Sequence, residues 1–76
     1  MNLRRKKIVQ KIISDIGAIK DRIETVKDEE DECVSNTPES LQGTDRYQES
    51  EDAAAYLQDA LDGIDDIIES LEAIIE

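Results

Sequence analysis

Residues 36–47 contain the polar side chains of this sequence that are best suited to bind a ligand. Arg46 is the only cation after Lys27 and carries a forked set of N–H donors that fits phosphate and carboxylate groups. Hydroxyl and amide groups surround it and add neutral donors and acceptors. We expect a ligand-binding set of Asn36, Ser40, Gln42, Arg46 and Tyr47. The alternative is that Arg46 pairs with Glu39, Glu49 or the acidic run at 28–32 and only fixes a bend.

A second cationic group, Arg4 to Lys7, lies at the start of the chain. A helix over about residues 3–33 would be ~45 Å long, so this group and Arg46 would lie at opposite ends of one chain. They could meet only across a subunit interface. An antiparallel dimer would bring Arg4 and Arg5 of one chain close to Arg46 of another and create two equivalent anion sites. Arg4 and Arg5 therefore join the candidate ligand-binding residues.

The residues needed for most enzyme chemistry are missing. There is no histidine, and Cys33 is the single cysteine. This composition excludes an internal disulfide, zinc or haem ligation, and catalysis by serine–histidine or cysteine–histidine pairs. Carboxylates are abundant, but on exposed helical faces they keep ordinary acidity, and the run at 28–32 lacks the glycine turn of a calcium loop. We expect no enzyme activity, no catalytic residue, no metal and no cofactor.

The apolar residues predict two long helices, over about 3–33 and about 45–75. In the first helix they alternate steps of three and four, which predicts one buried seam. Ile8 and Ile13 widen this stripe. The first seam comprises Val9, Ile12, Ile16, Ile19, Ile23 and Val26. The second comprises Tyr47, Ala54, Leu57, Leu61, Ile64, Ile68, Leu71 and Ile75, with Ser50 as a polar exception.

The second seam is flanked by further apolar residues, so that three residues in every seven of this helix are apolar. They are Ala53, Ala60, Ile67 and Ile74. A stripe of that width is typical of a helix with more than one neighbour. A lone hairpin of 76 residues also buries little surface and is marginally stable. The fold class is therefore predicted to be all-α: one domain, an antiparallel two-helix hairpin that assembles into a homodimeric four-helix bundle or a higher oligomer.

The segment between the helices, about 34–44, is predicted to be an ordered corner. Thr37 is expected to cap a short helix that starts at Pro38, and Gly43 to end it. Thr44 is expected to cap the second long helix. Leu41 would then be the apolar residue that plugs the open end of the hairpin.

Charge is divided unevenly along the chain. Residues 1–27 hold eight basic and three acidic side chains, and residues 28–76 hold one basic and seventeen acidic ones. An antiparallel hairpin would bring the basic start close to Glu69, Glu72 and Glu76. A net charge of −11 and the lack of aromatic residues among the cations argue against direct nucleic-acid binding. The acidic surface instead suggests imitation of a polyanion, or simply a solvated face.

The corner sequence resembles that of small helical-hairpin proteins from Gram-positive bacteria and their phages. Those proteins have a loop close to Asn-x-Pro-Glu-Ser-Leu-Gln-x-Ser-Glu-Arg between a charged helix and an acidic helix rich in Ala and Ile. The matching residues here are Glu29, Glu30, Asn36, Pro38, Glu39, Ser40, Leu41, Gln42 and Arg46, with Thr44 and Asp45 as close replacements. Where those proteins have an aromatic residue and an acid before the Asn, this chain has Val34 and Ser35. The resemblance implies a helical hairpin of phage or prophage origin.

These observations together predict a non-enzymatic, self-assembling binding protein. Small oligomeric phage proteins often block host defences, including by sequestering nucleotide signals, so we expect an anti-defence role with a small anionic, nucleotide-type ligand. The alternatives are a polyanion mimic that inhibits a nucleic-acid-binding protein, such as a host defence protein, and a purely structural or regulatory oligomer. No apolar run approaches the length of a membrane span, and the start does not read as a secretion signal, so we expect the bacterial cytoplasm and no membrane partner.

Overall fold

The protein is a helical hairpin. The computed structural model describes all 76 residues, with helix α1 at Leu3–Ser35, a 3-10 turn η1 at Glu39–Leu41, and helix α2 at Asp45–Ile75. The two helices pack against each other in a rod of 59 × 15 × 14 Å. The predicted all-α hairpin is confirmed. Neither helix combines the length and the apolar character that crossing a membrane requires.

Side-chain caps fix both helix starts. The Asn2 side chain accepts a hydrogen bond from the backbone N–H of Arg5 at 2.9 Å, and Thr44 accepts one from Tyr47 at 3.3 Å, as predicted for Thr44. The prediction for Thr37 is wrong. Its hydroxyl donates to the Cys33 carbonyl at 2.7 Å, because the last carbonyls of a helix lack backbone partners, and η1 has no side-chain cap.

The α2 seam packs on α1 as predicted. Leu61 is buried, and the rest of the seam, including Ser50, is half-buried along the whole helix. The flanking residues that widen the stripe behave differently: Ala60, Ile67 and Ile74 are exposed, and only Ala53, close to the corner, is half-buried. The apolar stripe of α2 is thus wider than the surface that α1 covers.

In α1 the predicted seam is wrong for half of its members. Val9 is buried and Ile16 and Ile23 are half-buried, but Ile12, Ile19 and Val26 remain 41–49% exposed. The contact with α2 is instead completed on the other side of Ile16, by half-buried residues at Ile13, Lys20, Lys27 and Val34. Lysine stems cover apolar surface while their ammonium groups reach solvent or a carboxylate, so a lysine position can belong to a helix contact.

One ion pair joins the two helices. Lys20 Nζ lies 2.6 Å from Asp65 Oδ1 of α2 and 3.8 Å from Glu24 in its own helix. The hydrogen bond to Asp65 raises the pKa of Lys20 above its ordinary value; desolvation opposes the shift, and the charges of Asp65, Glu24 and Asp21 add to it. The expected pairing of the basic start with Glu69, Glu72 and Glu76 is not found: the other ion pairs are Lys11–Asp15 and Lys27–Asp31, both within α1.

An apolar surface stays uncovered along one side of the rod. Val9 and Leu61 are the only buried residues of the chain. The six exposed aliphatic residues that follow a seven-residue period are Ile12, Ile19 and Val26 of α1 and Ala60, Ile67 and Ile74 of α2. Helical geometry turns both stripes to the side opposite the Lys20–Asp65 pair, and Ile19 and Val26 line a shallow groove with Leu57 of α2. We call these six residues the apolar face.

Candidate functional site

A large open concavity lies at the corner of the hairpin. It is an open groove of about 990 Å³, formed by the end of α1, the loop and the start of α2. This volume is at the upper end of the range for small-molecule sites. Its lining residues are Glu29, Glu30, Glu32, Cys33, Asn36, Thr37, Pro38, Leu41, Thr44, Arg46, Tyr47, Glu49, Ser50 and Ala53. We call it the corner groove.

Arg46 is the only cation that lines the corner groove. It is exposed and takes part in none of the ion pairs of the structure. The expected alternative, in which Arg46 fixes the bend by pairing with Glu39, Glu49 or the acidic run at 28–32, is therefore not realised. The first turn of α2 positions this guanidinium with its donors unused.

Asn36 and Tyr47 lie in the corner groove with Arg46, as the candidate set requires. Asn36 ends α1, where its backbone N–H donates to the carbonyls of Glu32 and Val34, and its exposed side-chain amide forms no hydrogen bond. Tyr47 is half-buried in the first turn of α2. A hydrogen bond to Glu51 raises the pKa of its phenol above the ordinary value, and desolvation and the charge of Glu51 act in the same direction. Tyr47 thus remains a neutral hydroxyl at physiological pH.

Ser40 and Gln42 do not line the groove. Both belong to the turn around η1 and are exposed on its outer side. Gln42 Nε2 lies 3.5 Å from the Thr37 carbonyl, a long contact within the corner itself. Leu41 is the residue of this turn that lines the groove, and at 50% exposure it covers the end of the hairpin only in part.

Arg4 and Arg5 lie in the first turn of α1, at the end of the rod remote from the corner. Both are exposed and unpaired. Within one chain, then, the structure unites three of the seven candidate residues, Asn36, Arg46 and Tyr47. The remaining four are divided between the outside of the turn and the opposite end.

Four carboxylates of the corner groove were not among the candidates: Glu29, Glu30, Glu32 and Glu49. The acidic run at 28–32 was visible in the sequence, but its position relative to Arg46 depends on how far α1 continues before it turns. With four acids and one base, the groove of a single chain has a negative potential at neutral pH. It holds acceptors for N–H and O–H donors next to one anion-binding guanidinium.

No group of three or more acidic or cysteine side chains lies close enough to hold a metal ion. Cys33 is an exposed free thiol at the rim of the groove. In comparisons with known proteins, no family model, no curated protein and no solved structure matches this chain.

Proposed function

We propose that this chain is a non-enzymatic, self-assembling binding protein that captures a small anionic ligand of the nucleotide type in the corner groove. The observation that carries the proposal is that Arg46 lines the corner groove with an exposed guanidinium that takes part in no ion pair. A guanidinium in this state has its forked donors free for a phosphate.

The other groups of the groove suit the remainder of a nucleotide. The Asn36 amide can both donate and accept hydrogen bonds, and the neutral Tyr47 hydroxyl, which donates its proton to Glu51, can accept one. Carboxylates such as Glu30 and Glu49 accept hydrogen bonds from base amino groups and sugar hydroxyls. Tyr47, Leu41 and Pro38 offer apolar surface to a base. A ligand that carries both phosphate and donor groups fits this lining better than inorganic phosphate does.

Electrostatics requires a second source of positive charge. The four carboxylates oppose an anion held by Arg46 alone, and no other cation of the same chain lines the groove. Arg4 and Arg5, like Lys6 and Lys7, are unpaired cations at the other end of the rod. In the working assembly we therefore expect the ligand at a subunit interface, between Arg46 of one chain and the basic start of another.

The biological role proposed here follows from the resemblance of the corner sequence to small phage proteins. A phage accessory protein that removes a nucleotide signal would silence a host defence protein that depends on this signal. This is an anti-defence role, exercised in the bacterial cytoplasm, and it requires capture without catalysis. It predicts that the bound nucleotide is released intact when the protein is denatured.

The test is native mass spectrometry of the purified protein with a panel of cyclic and linear nucleotides. We expect one ligand per groove, and loss of the bound mass in Arg46→Ala with the assembly intact. Lys11→Ala is the matched control: it removes the same charge at an exposed site whose partner is Asp15 in its own helix. An Arg46→Ala protein that retains the ligand as the wild type does would refute the site.

The second candidate is a polyanion mimic that occupies a nucleic-acid-binding protein. It is favoured by the exposed carboxylates along α2, such as Asp59, Asp62 and Asp66. Asp65 is unsuitable for a test, since it holds Lys20 across the hairpin. A triple Asp→Asn variant at 59, 62 and 66 should lose the partner if the mimic is correct, whereas Arg46→Ala should not.

A further inference from the structure

The hairpin exposes more surface than a compact folding unit of its mass. The chain exposes 5755 Å², whereas a compact monomer of 8.6 kDa is expected to expose about 4,700 Å². The excess of about 1,000 Å² is close to the area, about 800 Å², that each partner buries in a standard protein–protein interface. One partner laid along the rod would cover this excess.

The dimensions of the apolar face fit a second copy of the same chain. The side of the rod that contains the apolar face is ~46 Å long, from 31 residues of α2 at about 1.5 Å each, and 15 Å wide, which gives ~700 Å² per chain. The apolar face itself spans ~21 Å of this length, because each stripe covers fourteen residues of its helix. It consists of two parallel stripes of aliphatic residues with the same seven-residue period. Such a surface is complementary to itself, because side chains of each stripe can pack between those of an identical stripe.

Charge decides how the second copy is oriented. The end of the rod that contains the termini, residues 1–19 and 61–76, has five basic and seven acidic side chains. The corner end, residues 20–60, has four basic and thirteen acidic ones. A dimer with both corners at one end would bring the two strongly acidic ends together. In a dimer with its corners at opposite ends, each acidic corner lies beside the end of the other chain whose basic and acidic charges nearly cancel. Electrostatics favours this arrangement.

We infer that two chains pair through the apolar face in antiparallel orientation, about a twofold axis close to Ile19, and that Arg5 of the partner subunit completes the corner groove. Ile19 is the middle of the α1 stripe, so the axis lets Ile12 of each chain face Val26 of the other. Arg5 is seven residues before Ile12, on the same stripe, and Cys33 is seven residues after Val26. The axis thus sets the partner's Arg5 over Cys33, at the rim of the groove that Arg46 lines.

The role of Arg5 in ligand binding rests on the proposed function, whereas the dimer interface is independent of it. Arg46 belongs to the second stripe of the same surface, fourteen residues before Ala60. The groove and the apolar face are therefore continuous, and a chain that covers the face also reaches the groove. Each dimer would contain two equivalent sites with guanidinium groups from both chains.

The interface is tested by sedimentation and native mass spectrometry of the full chain. We expect a dimer at micromolar concentration and at least ~100-fold weaker association in Ile19→Lys, because the dimer would bury two unpaired ammonium groups. Gln10→Lys is the control, since Gln10 is exposed on the opposite side of α1. Ile67→Lys repeats the test on α2. A monomeric wild type, or equal weakening by Gln10→Lys, would overturn the inference.

The orientation is tested with the single native cysteine. Spin labels on Cys33 should be ~42 Å apart, since each is fourteen residues from the axis. A dimer with both corners at one end would give a distance of less than ~20 Å and overturn the antiparallel arrangement. Arg5→Ala should weaken nucleotide binding by about tenfold or more while the dimer persists; unchanged binding overturns the role of Arg5. A wild-type dimer with the long distance that binds no nucleotide refutes only the proposed function.

Discussion

Replacement of Leu61 by alanine should have the largest effect of any leucine truncation in this chain. Leu61 is the most buried residue, with 6% of its surface exposed. The change removes three carbon atoms, worth about 0.8 kcal/mol each when fully buried, so the transfer contribution is about 2.3 kcal/mol. The remaining cavity between α1 and α2 raises the expected loss to about 3 kcal/mol.

This loss is large compared with the stability of a small domain. At 0.05–0.15 kcal/mol per residue, a chain of 76 residues has a free energy of unfolding of about 4–11 kcal/mol. The Leu61→Ala protein should therefore melt about 12–24 °C below the wild type. Urea unfolding followed by circular dichroism, with all proteins at one concentration, measures the difference.

Leu3→Ala provides the matched control because it removes the same atoms. Leu3 lies in the first turn of α1 and is 68% exposed. Its truncation should cost about 0.8 kcal/mol or less. Equal losses of stability in the two variants would refute the packing of Leu61 between α1 and α2. They would mean that Leu61 is as exposed as a side chain at the frayed end of a helix.

Two further predictions concern α1. The Lys20–Asp65 pair, with its raised lysine pKa, should stabilise the hairpin at neutral pH; this contribution is complete below the ordinary lysine value of 10.5 and is lost as the pH rises through the raised value. The difference in melting temperature between wild type and Lys20→Met should therefore shrink above pH 10.5, and a constant difference would contradict the pair. Gly17→Ala should raise the free energy of unfolding by about 1 kcal/mol, because an added Cβ at Gly17 meets no atom within 4 Å and alanine favours the helix. Chemical denaturation that shows a lower stability would contradict this, since it would mean that something outside the hairpin packs against Gly17.

The helices and their ends follow from local features of the sequence. Thr44 caps α2 because its hydroxyl can accept from the N–H of Tyr47 three residues later, a relation that needs no tertiary information. Thr37 was misassigned because the same hydroxyl could also serve the last carbonyls of α1, and it donates to the carbonyl of Cys33. A threonine between two helices has both options, and the sequence alone does not rank them.

The candidate site was predictable only in part. Asn36 and Arg46 enter the same groove because one ends α1 and the other begins α2. Whether Ser40 and Gln42 join them depends on the rotation of a three-residue turn, and this turn directs Leu41 to the groove instead. The acidic run at 28–32 and Glu49 were considered only as ion-pair partners of Arg46 and not as the lining of a groove, because the side of α1 that meets the corner is fixed by how the two long helices pack, far from the loop itself.

The error in the α1 seam is informative about the protein. An alternation of three and four identifies an apolar stripe but not the neighbour that each half of it contacts. Here α2 contacts the half that contains Val9, Ile16 and Ile23, and the lysines beside it complete this contact. The other half, with Ile19 at its centre, stays largely exposed in the hairpin, yet it repeats aliphatic residues as regularly as the covered half. Solvent alone would not require this regularity, because an exposed helix position accepts lysine or glutamate at no cost. The pattern is accounted for if each half of the stripe has its own helix to contact, one from the same chain and one from another.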